Sequence, residues 1–295
     1  MELLHLKYFC KIAEHENVTK AAQELHVAQP ALSRVLRGLE DELGVQLFHR
    51  AGRHLSLNEN GDILLRCAQD IFSRMASMQK ELHDRGGAMW EETITIVVRV
   101  ASRLLPDIIS GFRHRYPQVR IIIIQNELQD WRQECVWDLC IDASREKRQD
   151  VHTTCLLREE ICLAMPKNHP LAKRKRIRLQ EVAGESFLGM QKGSSMNEIA
   201  TAYCREAGFS PNIILESDNP STMRGLMRLG LGIAFNPLVT WKEESEEEFC
   251  LIPIEGIDCC RYIHLTLRPA SYHAEVVLAF RDYLIEFFAQ LSNRI

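Results

Sequence analysis

The 295-residue chain has no stretch near the roughly 18 to 20 consecutive apolar residues that a membrane span needs. Its N-terminus, Met-Glu-Leu-Leu-His-Leu-Lys, has no basic region followed by an apolar segment and a small-residue cleavage site. A cytoplasmic protein is therefore expected, with no membrane partner. An excess of positive charge is also missing: 36 Lys and Arg stand against 40 Asp and Glu, for a net charge of −4. Any contact with nucleic acid must then rest on a local basic face. Ten cysteines are present, but none forms a Cys-x-x-Cys pair; Cys135 with Cys140, and adjacent Cys259-Cys260, lack zinc spacing. In a reducing compartment they are expected to stay free and behave as small apolar residues, and a redox role would need an exposed, cationic setting. There is no Gly-x-Ser-x-Gly, no His-Glu-x-x-His and no phosphate-binding Gly-Lys-Ser/Thr loop. Gly230-x-Gly232 lacks the rest of a dinucleotide fingerprint. No enzyme, cofactor or metal site is expected; His49 and His54 read as polar surface residues.

What is present is grammar that changes along the chain. An apolar content of 46% with 26% charged residues is enough for packed cores. Residues 3–14 carry Leu6, Phe9 and Ala13 at helical spacing, with Leu4, Tyr8 and Ile12 on the adjoining stripe. A second short helix is predicted to reach Leu25, with Thr19 as its N-cap. A third is predicted over 29–43, with Pro30 in its first turn and Gly44 as its stop. Two short extended runs, 45–50 and 53–57, flank Ala51-Gly52 and read as a hairpin. A long helix follows from Asn58 to about Arg85. On it Leu64, Ala68, Ile71, Met75, Met78 and Leu82 step by four and three, a heptad seam. A partner helix from a second subunit would cover that seam; the alternative is packing on its own domain.

Gly86-Gly87 reads as a joint. Beyond it strands alternate with helices: strand 93–98, a helix with Leu105, Ile108, Ile109 and Phe112, strand 119–124, a short helix with Leu128 and Trp131, and strand 138–141. A second block has strands at 161–165, 187–190, 213–216 and 232–235 and helices at 195–207 and 222–229. Strands 249–254 and 262–267 and a last helix, 274–291, close the chain. The run Glu243 to Glu248 reads as a solvated acidic loop. This β-α-β order predicts a mainly parallel sheet.

Residues 19–35 meet the physical requirements of a helix-turn-helix. Ala22 is small where two helices cross, and Leu25, Val27, Leu32 and Val35 supply the core between them. Gln29, Ser33 and Arg34 then lie on the exposed N-terminal face of the third helix, the part that enters a major groove. Gln pairs bidentately with adenine, Arg with guanine, and Ser donates to either. Thr19, Lys20, Pro30, Ala31 and Arg37 flank this tip, and Arg50 and Arg53 sit at the hairpin, where cations reach phosphates or the minor groove. Phe48 reads as core. Residues 1–85 hold eleven Lys and Arg against twelve Asp and Glu, so the basic face must be local, and a shallow salt dependence is expected.

The run from Leu6 to Leu65 closely resembles the signature of LysR-type transcriptional regulators. Phe9, Ala21-Ala22, Leu25, Gln29-Pro30-Ala31-Leu32-Ser33, Leu39-Glu40, Leu43-Gly44, Leu47-Phe48, Arg50 and Gly61 carry it. Ala28 departs from it, standing where many members place a Ser or Thr cap, and Ser56-Leu57-Asn58 replaces a common Leu-Thr pattern. Later landmarks agree in order: Leu104-Leu105-Pro106, Tyr116-Pro117, Trp137-Asp138-Leu139, Pro166 to Leu171 and Gly230 to Ala234. The resemblance implies a mixed fold: an all-α-rich winged helix-turn-helix N-terminal domain (1–58), a linker or dimerisation helix (59–87), and an effector-binding domain (88–295). The last would comprise two α/β subdomains resembling a periplasmic solute-binding protein, one of about 88–160 and 267–295, the other of about 161–266, joined by crossing strands. Double-stranded DNA, an effector in the cleft between subdomains, and a homodimer or homotetramer are the implied partners.

Ligands of open α/β sheets bind beyond the carboxyl ends of strands, where helix N-termini point. Those places hold Ser102 and Arg103, then Asn126, and then the loop of Lys192, Gly193 and Ser194; Asn236 is a further candidate. Free N–H groups, hydroxyls and cations suit a small anion. Ser102 and Ser194 read equally as N-caps, and Arg103 as a surface ion-pair residue. Arg99 either lines the cleft or faces solvent; the family pattern favours Gly close to it. Rival readings are a transporter's solute-binding subunit, or a regulator controlled by oxidation or a protein partner.

Overall fold

The computed structural model describes residues 1–51, 54–85, 93–125, 137–241, 249–269 and 273–293. The Gly86-Gly87 joint, the short helix around Leu128 and Trp131 and the acidic loop Glu243 to Glu248 lie outside the described residues. Among the described residues, no helix is long and apolar enough to cross a membrane. The chain divides into two compact units, each described separately.

The N-terminal unit, described over residues 1–85, begins with α1 (Leu3–His15), α2 (Val18–Glu24) and α3 (Gln29–Leu43). Asn17, not Thr19, caps α2: its side-chain oxygen accepts from the backbone N–H groups of Thr19 at 2.9 Å and Lys20 at 3.1 Å. Asn17 is the extended residue just before the helix, while Thr19 already lies inside it and is one of the orphan donors; such a cap contributes about 1 kcal/mol. Ala28 precedes α3 without a side-chain cap, and Gly44 ends it in the left-handed conformation, φ 70°. Leu32, Leu36 and Leu39 form the buried stripe of α3 against Leu6, Phe9, Ile12 and the small Ala21 and Ala22 of the other two helices. Each large aliphatic side chain removed from water there contributes about 1.5–3 kcal/mol.

A hairpin of β1 (Phe48–Ala51) and β2 (His54–Leu57) follows, pairing antiparallel from Phe48 with Leu57 to Ala51 with His54. Two carboxylates anchor it: buried Glu40 accepts from the Leu47 N–H at 2.9 Å, and Glu16 accepts from the Leu57 N–H at 3.0 Å. Phe48 is buried core, edge-on to Phe9 with ring centroids 5.8 Å apart.

The long helix α4 (Glu59–Arg85) starts at Asn58, whose side chain accepts from the Gly61 N–H at 2.9 Å. Gly61 is required because a Cβ there would lie against the Leu47 carbonyl oxygen, well inside contact distance. The heptad seam of α4 behaves differently along its length from the single partner-facing stripe expected. Ala68 is buried and Leu64 and Ile71 are packed, together with Leu65 and Phe72, against the core of their own unit. Further along, Met78 and Leu82 are 50% and 62% exposed. The first half of the seam thus finds a partner at home because the helix-turn-helix core reaches only that far.

The second unit runs on from β3 (Thr93–Val98) through α5 (Leu105–Arg115), β4 (Arg120–Ile124), β5 (Leu139–Ser144) and β6 (Thr153–Pro166) to β7 (Ser186–Met190). Then come α6 (Ser195–Glu206), β8 (Asn212–Ser217), α7 (Pro220–Arg228), β9 (Ala234–Pro237), β10 (Phe249–Pro253), β11 (Cys260–Leu267) and α8 (Glu275–Ser292). The large sheet has the order β10-β6-β11-β5-β3-β4, with β9 also on β6. It is mixed rather than mainly parallel: β3 runs parallel to β4 and β5, but β6 and β11 pair antiparallel with each other and with their other neighbours. The reason is β6, fourteen residues long, of which the sequence pattern exposed only the apolar second half. Its first half, interrupted by Arg158-Glu159-Glu160, pairs with β11; its second half pairs with β9 and β10. Two groups of strands thus meet along β6: β11, β5, β3 and β4 beside its first half, β9 and β10 beside its second.

Two cores flank them. In one, Phe112 of α5 meets Phe280 of α8 edge-on with ring centroids 4.6 Å apart, both rings fully buried. In the other, Phe187, Ile199 and Tyr203 pack with Ile161, Leu163 and Phe235.

Candidate functional site

The N-terminal unit presents a polar tip on a rigid base. Thr19, Lys20, Gln29, Pro30, Ala31, Arg34 and Arg37 are exposed and Ser33 is half-buried. Gln29 Nε2 donates to Ser33 Oγ at 2.8 Å, one turn along α3, so these two side chains hold one another on the same face. Of the acids of α2 and α3, Glu24, Glu40 and Glu42 are engaged elsewhere, and Asp41 lies in the last turn of α3, away from Gln29 and Ser33. Glu24 is within 2.7 Å of Lys11 Nζ and 2.5 Å of His15 Nε2, and the Lys11 bond holds its carboxyl below the usual range, with His15 adding to it. Glu40 is committed to Leu47, and Glu42 lies 2.5 Å from the N-terminal ammonium at the far end of α3. The tip is therefore locally basic although the unit's charge is balanced. The side chain of Arg50, and all of Arg53, lie outside the described residues.

The second unit contains a cleft of about 720 Å³, inside the range of small-molecule sites. Three helix starts open onto it. Ser102 and Arg103 lie in the 3-10 turn (Ser102–Leu104) that leads into α5; Ser194 caps α6, accepting from the Asn197 N–H at 3.3 Å; Asn219 caps α7, accepting from Ser221 at 2.8 Å. Ala101, just before the first of these, is held at φ 61°, where a glycine would be unstrained. This cost of about 1–2 kcal/mol sits at the cleft wall.

Among the described residues, four arginines line the cleft, Arg99, Arg103, Arg224 and Arg261, against one acid, Asp218. Arg224 is buried and donates to Ser221 Oγ at 3.1 Å. Arg261, on β11, is 1% exposed and its Nε donates to Glu159 Oε1 of β6 at 2.6 Å. Its Nη2 donates to Thr240 Oγ1 at 2.7 Å, while Thr240 donates its own hydroxyl and N–H to Glu159. The remaining amino group, Nη1, faces the Met196 sulfur at 3.7 Å. A thioether is a weak acceptor. An oxyanion placed there would be a far stronger partner for a guanidinium already fixed in position by the other bonds.

Of the residues expected from sequence, Ser102, Arg103 and Ser194 line this cleft. Lys192 and Gly193 are exposed in the loop before α6 but are not among its walls, and Gly193 holds φ 89°. Asn236 is buried in β9, donating to the Pro237 carbonyl at 3.1 Å, and does not line it. Asn126 lies outside the described residues. Arg224, Arg261, Thr240 and Trp241 were missed. The available signal was a charged residue within the apolar run from Cys260 to Leu267, a pattern that also fits an exposed strand edge.

Comparison with known proteins agrees with both units. Residues 3–62 match the model for bacterial regulatory helix-turn-helix proteins of the lysR family, and residues 90–289 match the LysR substrate binding domain. The chain is 32% identical over 299 residues to the HTH-type transcriptional regulator YybE of Bacillus subtilis, covering 98% of this chain and 100% of that one. It is 31% identical over 303 residues to the transcriptional dual regulator GltC of the same organism, covering 99% of each. The hydrogen peroxide-inducible genes activator of Pectobacterium carotovorum is 28% identical over 92% of this chain and 91% of its own. Among solved structures, full-length BenM aligns with a TM-score of 0.55 at 25% identity, covering 98% of this chain and 97% of its own. These relatives are transcription regulators, not enzymes.

Proposed function

The chain belongs to the LysR-type transcriptional regulators, DNA-binding proteins with an effector-binding domain, and from that premise we propose that a small organic anion is its effector. The anion occupies the cleft over Arg261, and its binding alters how the protein holds duplex DNA. The observation that carries this is the charge of the cleft: among the described residues its walls hold four arginines, one of them paired with Glu159 beneath, and three helix N-termini against a single aspartate. Gln29, Ser33 and Arg34 read base edges, with Lys20 and Arg37 on phosphates. The exposed Met78 and Leu82 on the second half of α4 support a homodimer through that helix, or a tetramer built from it.

Glu159 sits on β6, where the two groups of strands meet, and Arg261 on β11 beside it, so an anion at Arg261 acts on the strand common to both groups. Regulation then is a shift between two states of unequal effector affinity. Footprinting beside the protein's own gene locates the operator. Repeating it with organic acids, and with matched neutral and cationic compounds, tests the effector. Acids are expected to change the footprint and raise the melting temperature. Stabilisation by neutral or cationic compounds alone would contradict the reading.

Likeness to the peroxide-inducible activator favours a second reading, thiol oxidation. No described cysteine lines the cleft. Burial pushes the thiols of Cys162, Cys204 and Cys259 up to about 11, 12 and 12, which leaves almost no thiolate to react. Replacing these three buried cysteines by serine or alanine is accordingly expected to leave any response of operator binding to hydrogen peroxide unchanged.

A further inference from the structure

Beside the arginine-lined cleft lies a second, smaller cavity of about 30 Å³ in the same unit. Its walls are mostly apolar, Phe187, Ala200, Ile213, Met223 and Phe235 among them. The two spaces share three residues, Met190, Met196 and Trp241. Met196 is the pivotal one. Its sulfur faces Arg261 Nη1 in the cleft, while its side chain also forms a wall of the apolar cavity. Methionine has three rotatable bonds and no branch, so it can vacate one position without disturbing the backbone.

We infer that the effector is an amphipathic carboxylate, its head on Arg261 and a short aliphatic tail in the cavity behind Met196. This rests on the anionic-effector reading above and narrows it to a chemical class. The carboxylate takes the Nη1 position now facing the thioether; the displaced Met196 lies along the ligand's chain; Met190 and Trp241 cover its other side. A polar extension at that end would meet few partners: Asn197 and Thr201 are the polar side chains there, and Asn197 Nδ2 already donates to the Met190 carbonyl at 2.9 Å. A cavity of this volume accepts roughly two to three carbon atoms before the walls must move. The tail is therefore short, and di- or tricarboxylates of similar length are excluded from it by the cost of burying an unpaired second charge.

The test is calorimetric titration of the full-length protein with linear monocarboxylates from acetate to octanoate, the matching primary alcohols, and oxalate as a head without a tail. The dissociation constant is expected to fall about fourfold per methylene over the first two or three additions and then to level off. The alcohols are expected to bind far more weakly at every length. Acids that bind with no dependence on chain length, or oxalate binding as tightly as the best monocarboxylate, would overturn the tail while leaving the anionic effector standing. Alcohols binding as well as acids would overturn both, and so would an absence of binding by every acid including oxalate. Ala200→Leu fills the cavity from α6 and is expected to flatten the series. Gly189→Ala, which would set a Cβ 3.0 Å from Ile213 and narrow the same space, is the milder second variant should the first fold poorly. A series that keeps its slope in both variants would place the tail elsewhere and contradict the inference.

Discussion

The two proposed sites of this chain, one for DNA and one for the effector, are built on opposite plans. The DNA-reading tip comes from one contiguous stretch, and its working side chains stand in solvent on a helix whose buried face is an unrelated set of leucines. The effector cleft is gathered from stretches as far apart as Val98 and Arg261, and its floor is a buried network of Arg261, Glu159 and Thr240. In the first, recognition and folding are done by different atoms. In the second they share the same atoms, because a guanidinium taken out of water is tolerable only with its carboxylate partner in place.

Four experiments break or sharpen that contrast. The largest effect is expected from Glu159→Ala, which leaves Arg261 buried without its counter-charge. A loss of about 3–5 kcal/mol in denaturant unfolding of the full chain is predicted, and the double replacement Glu159→Leu with Arg261→Met should recover much of that stability while losing effector affinity. If the single variant unfolds like the parent, the cleft floor is not a folding element. Next, replacing Gln29, Ser33 and Arg34 together by alanine should weaken operator binding by about 10²-fold or more, since each bidentate pairing with a base edge is worth about 1–3 kcal/mol. Its melting curve should be nearly unchanged because these groups lie outside the core; a tip that could not be stripped without unfolding would erase the contrast.

Gly61→Ala is intermediate. It forces the start of α4 away from the Leu47 carbonyl and should cost about 1–3 kcal/mol, read by thermal unfolding. The smallest effect concerns His264, buried on β11, whose Nε2 accepts from the Arg148 N–H at 2.9 Å. Burial, with the Arg148 cation adding to it, pulls its pKa below the ordinary 6.5 despite Asp142 nearby. The neutral ring is the folded form, so this contribution is complete above pH 6.5 and declines as the pH falls below it. His264→Gln should lessen the fall in stability of the full chain between pH 7 and pH 5; an identical fall would remove His264 as its source.

Those same plans decide how much could be read from the residues alone. The helix-turn-helix was legible because its requirements are local: small Ala21-Ala22, Pro30 at a helix start, Gly44 at a helix end, and leucines four and three apart. Even so, the cap of α2 was misplaced by two residues, since Asn17 and Thr19 both have capping side chains and only geometry chooses between them. In the effector unit the elements were legible but their pairing was not. Arg158-Glu159-Glu160 breaks the apolar run of β6, and nothing local announces that Glu159 is buried against an arginine a hundred residues later. Ser102, Arg103 and Ser194 were found through their place at helix starts, a local property. Arg224 and Arg261 were not, because a strand or helix arginine looks the same whether it faces water or a cleft until the chain is folded around it.

The central claim is that the cleft selects negative charge. It is tested most directly by titrating the full-length protein with a short monocarboxylate and with the primary amide of the same acid, which has nearly the same shape and no charge. The charge-assisted bond from Arg261 Nη1, worth about 1.5–3 kcal/mol, predicts a preference of about 10-fold or more for the acid. An amide that binds as tightly as the acid would contradict the account.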